Sequence, residues 1–213
     1  NYAYIIPGFF IIIISGINGP LHNSIVAVLT PIEGNKASEI LQIISLKIIF
    51  LLFIIASLIF LNAELIINIL GPNLDNETKF IAAKQLRILS PCIPLSGFNG
   101  LSYGALNTKN KFFTSSISPI IVSIVTIAFI IIYWLFNLKN QIFNNLFYSE
   151  LLSLATLAGT FIQTIIQIYE THKIGLIKFK SKFRKSFSEE NRILKLIIPA
   201  SFSSGLGQIN VFI

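Results

Sequence analysis

Across its 213 residues the chain is 54% hydrophobic and only 12% charged, with a mean hydropathy of +0.77 and a net charge of +7. An ordinary soluble domain carries about 25% charged residues, so a water-soluble core is the poorer reading and a polytopic membrane protein the better one. The positive charge comes with no aromatic-interleaved basic face and no recognised module, which disfavours nucleic-acid binding.

Six long apolar runs follow one another, at Tyr4–Thr30, Ile40–Leu70, Ile88–Leu106, Phe112–Leu138, Leu151–Tyr169 and Leu196–Ile213. A run of about 20 residues crosses a hydrocarbon core roughly 30 Å thick, and 112–138 does so without a single charge. Stretches such as IIFLLFIIASLIFL are apolar on every face, which predicts helices and not the alternating strands of a barrel. The expected fold is therefore all-α, a transmembrane helix bundle with six spans. Asn1 is no initiator, methionine is absent and Ile213 falls inside an apolar run, so the chain is expected to be a piece of a longer protein.

The first span carries its own interruption. SGINGP at 15–20 places Gly16, Gly19 and Pro20 near mid-membrane, with His22 and Asn23 directly after. Backbone freed at that depth must face protein or water, because lipid offers no hydrogen bonds. In the second span Lys47 lies about two turns inside one end; it either snorkels to the interface or lines a cavity. His22 either fills the helix break as a hydrogen-bonded group or contacts substrate.

The third span holds Pro91, Pro94, Gly97, Gly100 and Gly104, a kinked helix with the small-xxx-small pattern of close packing. The last span has Pro199, then the amides Gln208 and Asn210. Broken helices and uncharged polar groups at depth point to a substrate pathway. Lys47, His22, Asn23, Gln208 and Asn210 are its candidate residues, with Gly16, Gly19, Pro20, Pro91, Pro94 and Pro199 as breaks or hinges.

Lysine and arginine set the orientation. Eleven of them fall in connections 31–39, 107–112 and 170–195, against four on the opposite side, so the first set is expected in the cytoplasm. Within the longest connection Leu176, Phe179, Phe183 and Phe187 recur at helical spacing between Lys178, Lys180, Lys182, Arg184 and Lys185. That pattern fits an amphipathic helix on the membrane surface, acting as a headgroup contact or hinge, or else a solvated linker. It is also the best boundary: 1–172 as one lobe, 173–192 as linker, 193–213 as the start of a second lobe.

Catalysis finds no support. There is no GxxxxGK[ST] phosphate loop, and two distant histidines with Cys92 alone cannot form a metal site. No catalytic residue, metal or cofactor is expected.

Leu86-Arg87-Ile88-Leu89 then Pro91, Gly104-Ala105-Leu106-Asn107, Phe112 and Pro119 resemble the MurJ/MviN family, as do Pro199-Ala200 with Gln208-Ile209-Asn210 and, more loosely, Ile6-Pro7 through Thr30-Pro31. The resemblance implies helices two to seven of a fourteen-helix lipid II flippase of the MOP exporter superfamily, a MATE-like lobe in the bacterial inner membrane serving peptidoglycan synthesis and cell shape. It implies alternating access coupled to H+, Na+ or membrane potential, with membrane lipids, a lipid-linked glycan precursor and cell-wall synthesis proteins as partners. Where close members of that family carry paired arginines this chain has Ile11 and Ile12, so its cationic cavity would draw on Lys47 and on helices outside this stretch. The alternatives are a related exporter of polysaccharide repeat units or small amphiphiles, and a non-transporting scaffold of a cell-wall complex.

Overall fold

The structure, a computed structural model, describes residues 2–16, 19–32, 34–140, 145–177 and 191–200. Among them all regular structure is helical: α1 (Tyr2–Ser15), α2 (Pro20–Leu29), α3 (Asn35–Leu61), α4 (Ala63–Leu70), α5 (Asn76–Leu89), α6 (Cys92–Asn107), α7 (Phe112–Asn140) and α8 (Asn145–Lys173), with a further helical stretch over 191–200.

Three of these helices are long and apolar enough to cross a membrane, over Asn35–Leu61, Phe112–Leu135 and Tyr148–Lys173. The first expected span is divided into two shorter helices. Between α1 and α2 the break falls where the glycines and proline placed it. Gly19 caps α2 in an extended conformation, its N–H bonds Gly16 O at 2.7 Å, and Pro20 takes the first helical position, where its missing N–H costs nothing.

The expected second span is also divided, at a point the hydropathy does not mark. Asn62 leaves the helical region (φ −104°, ψ 18°) and turns its side-chain amide onto Leu58 O at 2.8 Å, and there α3 ends and α4 begins. The third span starts later than expected. Ser90 and Pro91 separate amphipathic α5 from α6, because Pro91 supplies no N–H to continue the ladder.

Helix α6 is the centre of the bundle. It packs against α1, α2, α3, α7 and α8, and its residues are buried from Ser96 to Leu106. Small residues permit this: a Cβ on Gly104 would lie 2.7 Å from His22 O and from Ile25 Cβ of α2, and one on Gly97 would collide with Leu52 of α3. The same device joins α7 to α8, where a Cβ on Gly159 would meet Val122 Cα at 2.9 Å.

Helix α3 shows why the pattern is a membrane pattern. Ile40, Ile44, Ile48, Leu52 and Ala56 form a buried stripe at spacings of four, while Phe50, Phe53, Ile54 and Leu61 on the other side are exposed. A water-soluble helix would carry charge on that second face. Here the second face is exposed and apolar but for Lys47.

Candidate functional site

Helix α8 carries a polar stripe through its apolar length: Ser153, Thr156, Thr160, Gln163, Thr164, Gln167 and Thr171 recur at helical spacing on the side facing α6 and α7. All but Thr156 are buried. The threonines satisfy themselves within the helix: Thr160 Oγ1 donates to Thr156 O at 2.8 Å, Thr164 to Thr160 O at 2.8 Å and Thr171 to Gln167 O at 2.6 Å.

The two glutamine amides instead bond across the interface. Gln163 Nε2 donates to the Tyr103 hydroxyl of α6 at 2.5 Å, Gln167 Nε2 donates to Ser118 Oγ of α7 at 2.8 Å, and Ser118 Oγ donates to Tyr103 at 3.4 Å. One polar knot thus ties three helices in a buried region, where an unpaired amide is costly. Asn99 Oδ1 and Gln167 Oε1 along this seam are buried without a hydrogen-bond partner, which leaves it acceptor capacity to spare.

A second knot closes the end of α6 near the 107–112 connection. Asn107 Nδ2 donates to His22 Nε2 at 2.6 Å, and Ser115 Oγ of α7 donates to Asn107 Oδ1 at 2.9 Å. For Asn107 to donate, His22 Nε2 must carry the lone pair, so the imidazole is neutral with its proton on Nδ1. The ring also bonds the Asn23 side chain. His22 is 4% exposed, held where Gly104 lets α2 approach α6.

At the opposite end, amphipathic α5 clamps the other helices through its charges. Arg87 Nη2 meets Glu64 Oε1 of α4 at 2.8 Å, Lys84 pairs with Glu150 of α8, and Gln85 Nε2 donates to Ser149 O at 2.8 Å. Asp75 caps α5 by accepting from Thr78 N–H at 2.9 Å, and that bond holds its carboxyl below the usual carboxylate range.

Of the candidates read from the sequence, His22 and Asn23 come together at the α2–α6 joint. Gly16, Gly19 and Pro20 form the break just before it. Lys47 lies elsewhere, exposed on α3 beside the buried Ile44 and Ile48. Pro91 and Pro94 mark the α5–α6 bend, and Pro199 lies exposed within the 191–200 helix. Gln208, Asn210, Lys178, Lys180, Lys182, Arg184 and Lys185 lie outside the described residues. The described residues hold no group of three metal-ligating side chains, and Cys92 is buried.

Sequence reasoning missed Tyr103, Ser118, Gln163 and Gln167. A signal existed: hydroxyl and amide residues at every third or fourth position of an otherwise apolar span.

The model of the family described as lipid II flippase MurJ matches residues 1–213. The chain is 33% identical over 213 residues to a "Probable lipid II flippase MurJ" of Synechocystis sp., which covers 98% of this chain and 40% of the relative. It is 34% identical over 111 residues to a "Lipid II flippase MurJ" of Thermosipho africanus, covering 51% of this chain and 23% of that protein. A "Probable lipid II flippase MurJ" of Rickettsia prowazekii is 26% identical over 220 residues, covering 100% of this chain and 41% of the relative. No solved structure matches the chain. The chain spans less than half the length of each of these curated relatives.

Proposed function

We infer that this chain, which belongs to the lipid II flippase MurJ family, forms part of a transporter that moves lipid II across the bacterial inner membrane by alternating access. The observation that carries the reading is the family match along the whole chain, 1–213. The fold supports it: a tightly tied bundle whose first span is broken beside His22 and Asn23 suits a body that moves as a unit around a polar site.

The chemistry required is movement, not bond breaking. A lipid-linked diphosphate must shed water and cross a medium in which charge is expensive, so a protein cation has to travel with it or meet it. Lys47 is the candidate from this chain, binding phosphate as a point charge and not as a bidentate fork. Ile11 and Ile12 offer no charge where the family resemblance implies arginines, so further cations would come from outside this stretch. His22 and Asn23 follow the break as hydrogen-bonding groups, and Gln208 and Asn210 are the remaining pathway candidates of this chain.

Residues 1–172 then act as one lobe, 173–192 as a surface linker and 193–213 as the opening of the second lobe. No cofactor enters; an H+ or Na+ gradient or the membrane potential supplies the drive. The reading names lipid II over a polysaccharide repeat unit because the matching relatives are lipid II flippases by name.

Reconstitution of the full-length protein in liposomes, with leaflet accessibility of labelled lipid II followed beside an undecaprenyl-linked repeat unit, tests it. Lipid II movement that responds to an imposed gradient or potential supports the reading. Movement of the other lipid alone shifts it to a related exporter, and movement of neither by folded protein favours a scaffold.

A further inference from the structure

An apolar cleft opens on the outer side of the bundle between α3 and the α5–α6 bend. Its volume is about 330 Å³, and its walls include Phe53 and Phe60 from α3 and Pro91 and Pro94 from the bend. Phe53 is 60% exposed and Phe60 47%, on the face of α3 that also carries exposed Phe50, Ile54 and Leu61. The cleft therefore opens through an exposed apolar face of a membrane-spanning helix, a composition suited to hydrocarbon contact.

Two hydroxyls in the lining would be expected to select a polar guest, but both are already used. Ser57 Oγ donates to Phe53 O at 2.8 Å and Ser90 Oγ to Arg87 O at 2.9 Å. Their protons point back into their own helices, so the cleft presents mainly hydrocarbon surface and suits an alkyl guest. Its size lies at the bottom of the range of roughly 300–1,000 Å³ for ligand sites, enough for part of one chain and far short of a whole diacyl lipid.

The mouth is marked by charge. Arg87 precedes Ser90 by three residues and Glu64 follows Phe60 by four, about one helical turn in each case. Their side chains meet at 2.8 Å, bridging α4 and α5 directly beside the cleft. The pair is accessible, at 33% for Arg87 and 65% for Glu64. A cation and an anion side by side complement a headgroup that carries both signs. Arg87 suits the phosphate, and Glu64 suits an ammonium.

From the largely apolar lining and the ion pair at its mouth, we propose that this cleft binds one acyl chain of a zwitterionic bilayer phospholipid, its phosphate on Arg87 and its ammonium on Glu64. An anionic phospholipid gains the arginine contact but faces the glutamate as a like charge. The proposal rests on α3 crossing the membrane and not on what the protein transports, so it fails or stands independently of flipping.

The test uses the full-length protein with Phe60→p-benzoylphenylalanine, in nanodiscs of equal phosphatidylethanolamine and phosphatidylglycerol with a trace of undecaprenyl phosphate. Irradiation is followed by mass spectrometry of the adducts. The expected adduct is phosphatidylethanolamine over phosphatidylglycerol by about three- to fivefold, the scale of an exposed ion pair. Glu64→Gln, which leaves Arg87 without its anion, should bring the ratio to one or below.

A ratio near one in the unsubstituted background overturns the proposal. So does a polyprenyl adduct, or a cross-link to another segment of the protein, which would mean that protein covers the cleft. No adduct at position 60, when the probe at exposed Ile124 reacts, overturns it too.

Discussion

Gln163 of α8 reaches the Tyr103 hydroxyl of α6 at 2.5 Å, and that one oxygen also accepts from Ser118 of α7 at 3.4 Å. A single buried hydroxyl therefore fixes the rotation of three helices, because turning any of them strands an amide in a dry interior.

Tyr103→Phe keeps the ring and removes this oxygen. The loss should cost about 1–3 kcal/mol, mostly the penalty of the unpaired Gln163 amide. Thermal unfolding of the full-length protein in detergent should show the lowered midpoint, and Gln163→Leu added to it should recover part of the loss. Strict additivity of the two substitutions would mean that the contact carries no coupling.

Gly104→Ala and Gly159→Ala each insert a methyl group where backbone already stands, at 2.7 Å from His22 O and 2.9 Å from Val122 Cα. Neither neighbour can rotate away, so each variant should lose about 1–3 kcal/mol. Gly97→Ala meets only the flexible end of Leu52 and should lose less. The order of the three unfolding midpoints checks the assignment of rigid and yielding neighbours.

Lys47→Ala removes an exposed charge and should leave the unfolding midpoint within about 0.5 kcal/mol of its starting value. Flipping by the full-length protein should nevertheless weaken, and Lys47→Arg should restore part of it. Unchanged flipping at normal expression would remove Lys47 from the pathway.

Asp75 gives a pH dependence of defined sign. Its carboxyl is held below the ordinary range by the Thr78 N–H, so the cap contributes fully above the unfolded value near 3.9 and is lost as pH falls through the lower folded value. Amide exchange at the start of α5 should quicken only in that acid window. Asp75→Asn should cap at every pH and flatten the profile; a profile unchanged by that substitution would assign the acid step to another group.

The all-helical character and the break at 16–19 were legible in the sequence because both depend on local chemistry. Glycine and proline decide what the backbone can do wherever the helix is packed, and long apolar runs need internal hydrogen bonds in lipid. The boundary at Asn62 was not legible: one amide folding back onto Leu58 changes hydropathy very little. Six spans were expected; three helices among the described residues are long and apolar enough to cross, the first span is two shorter helices in series, which hydropathy does not separate from one long helix, and most of the last span lies outside the described residues.

The sequence by itself determined that this is a membrane helix bundle of one family, because composition, run length and short motifs survive without knowledge of neighbours. Only the tertiary structure decided that His22 meets Asn107, that Tyr103 collects Gln163 and Ser118, and that Lys47 is exposed on α3. Those relations depend on how far each helix is rotated and where it crosses the next. In a chain apolar on all sides that rotation is set by glycine contacts and a few buried polar bonds between residues distant in sequence, which hydropathy along a single helix does not encode.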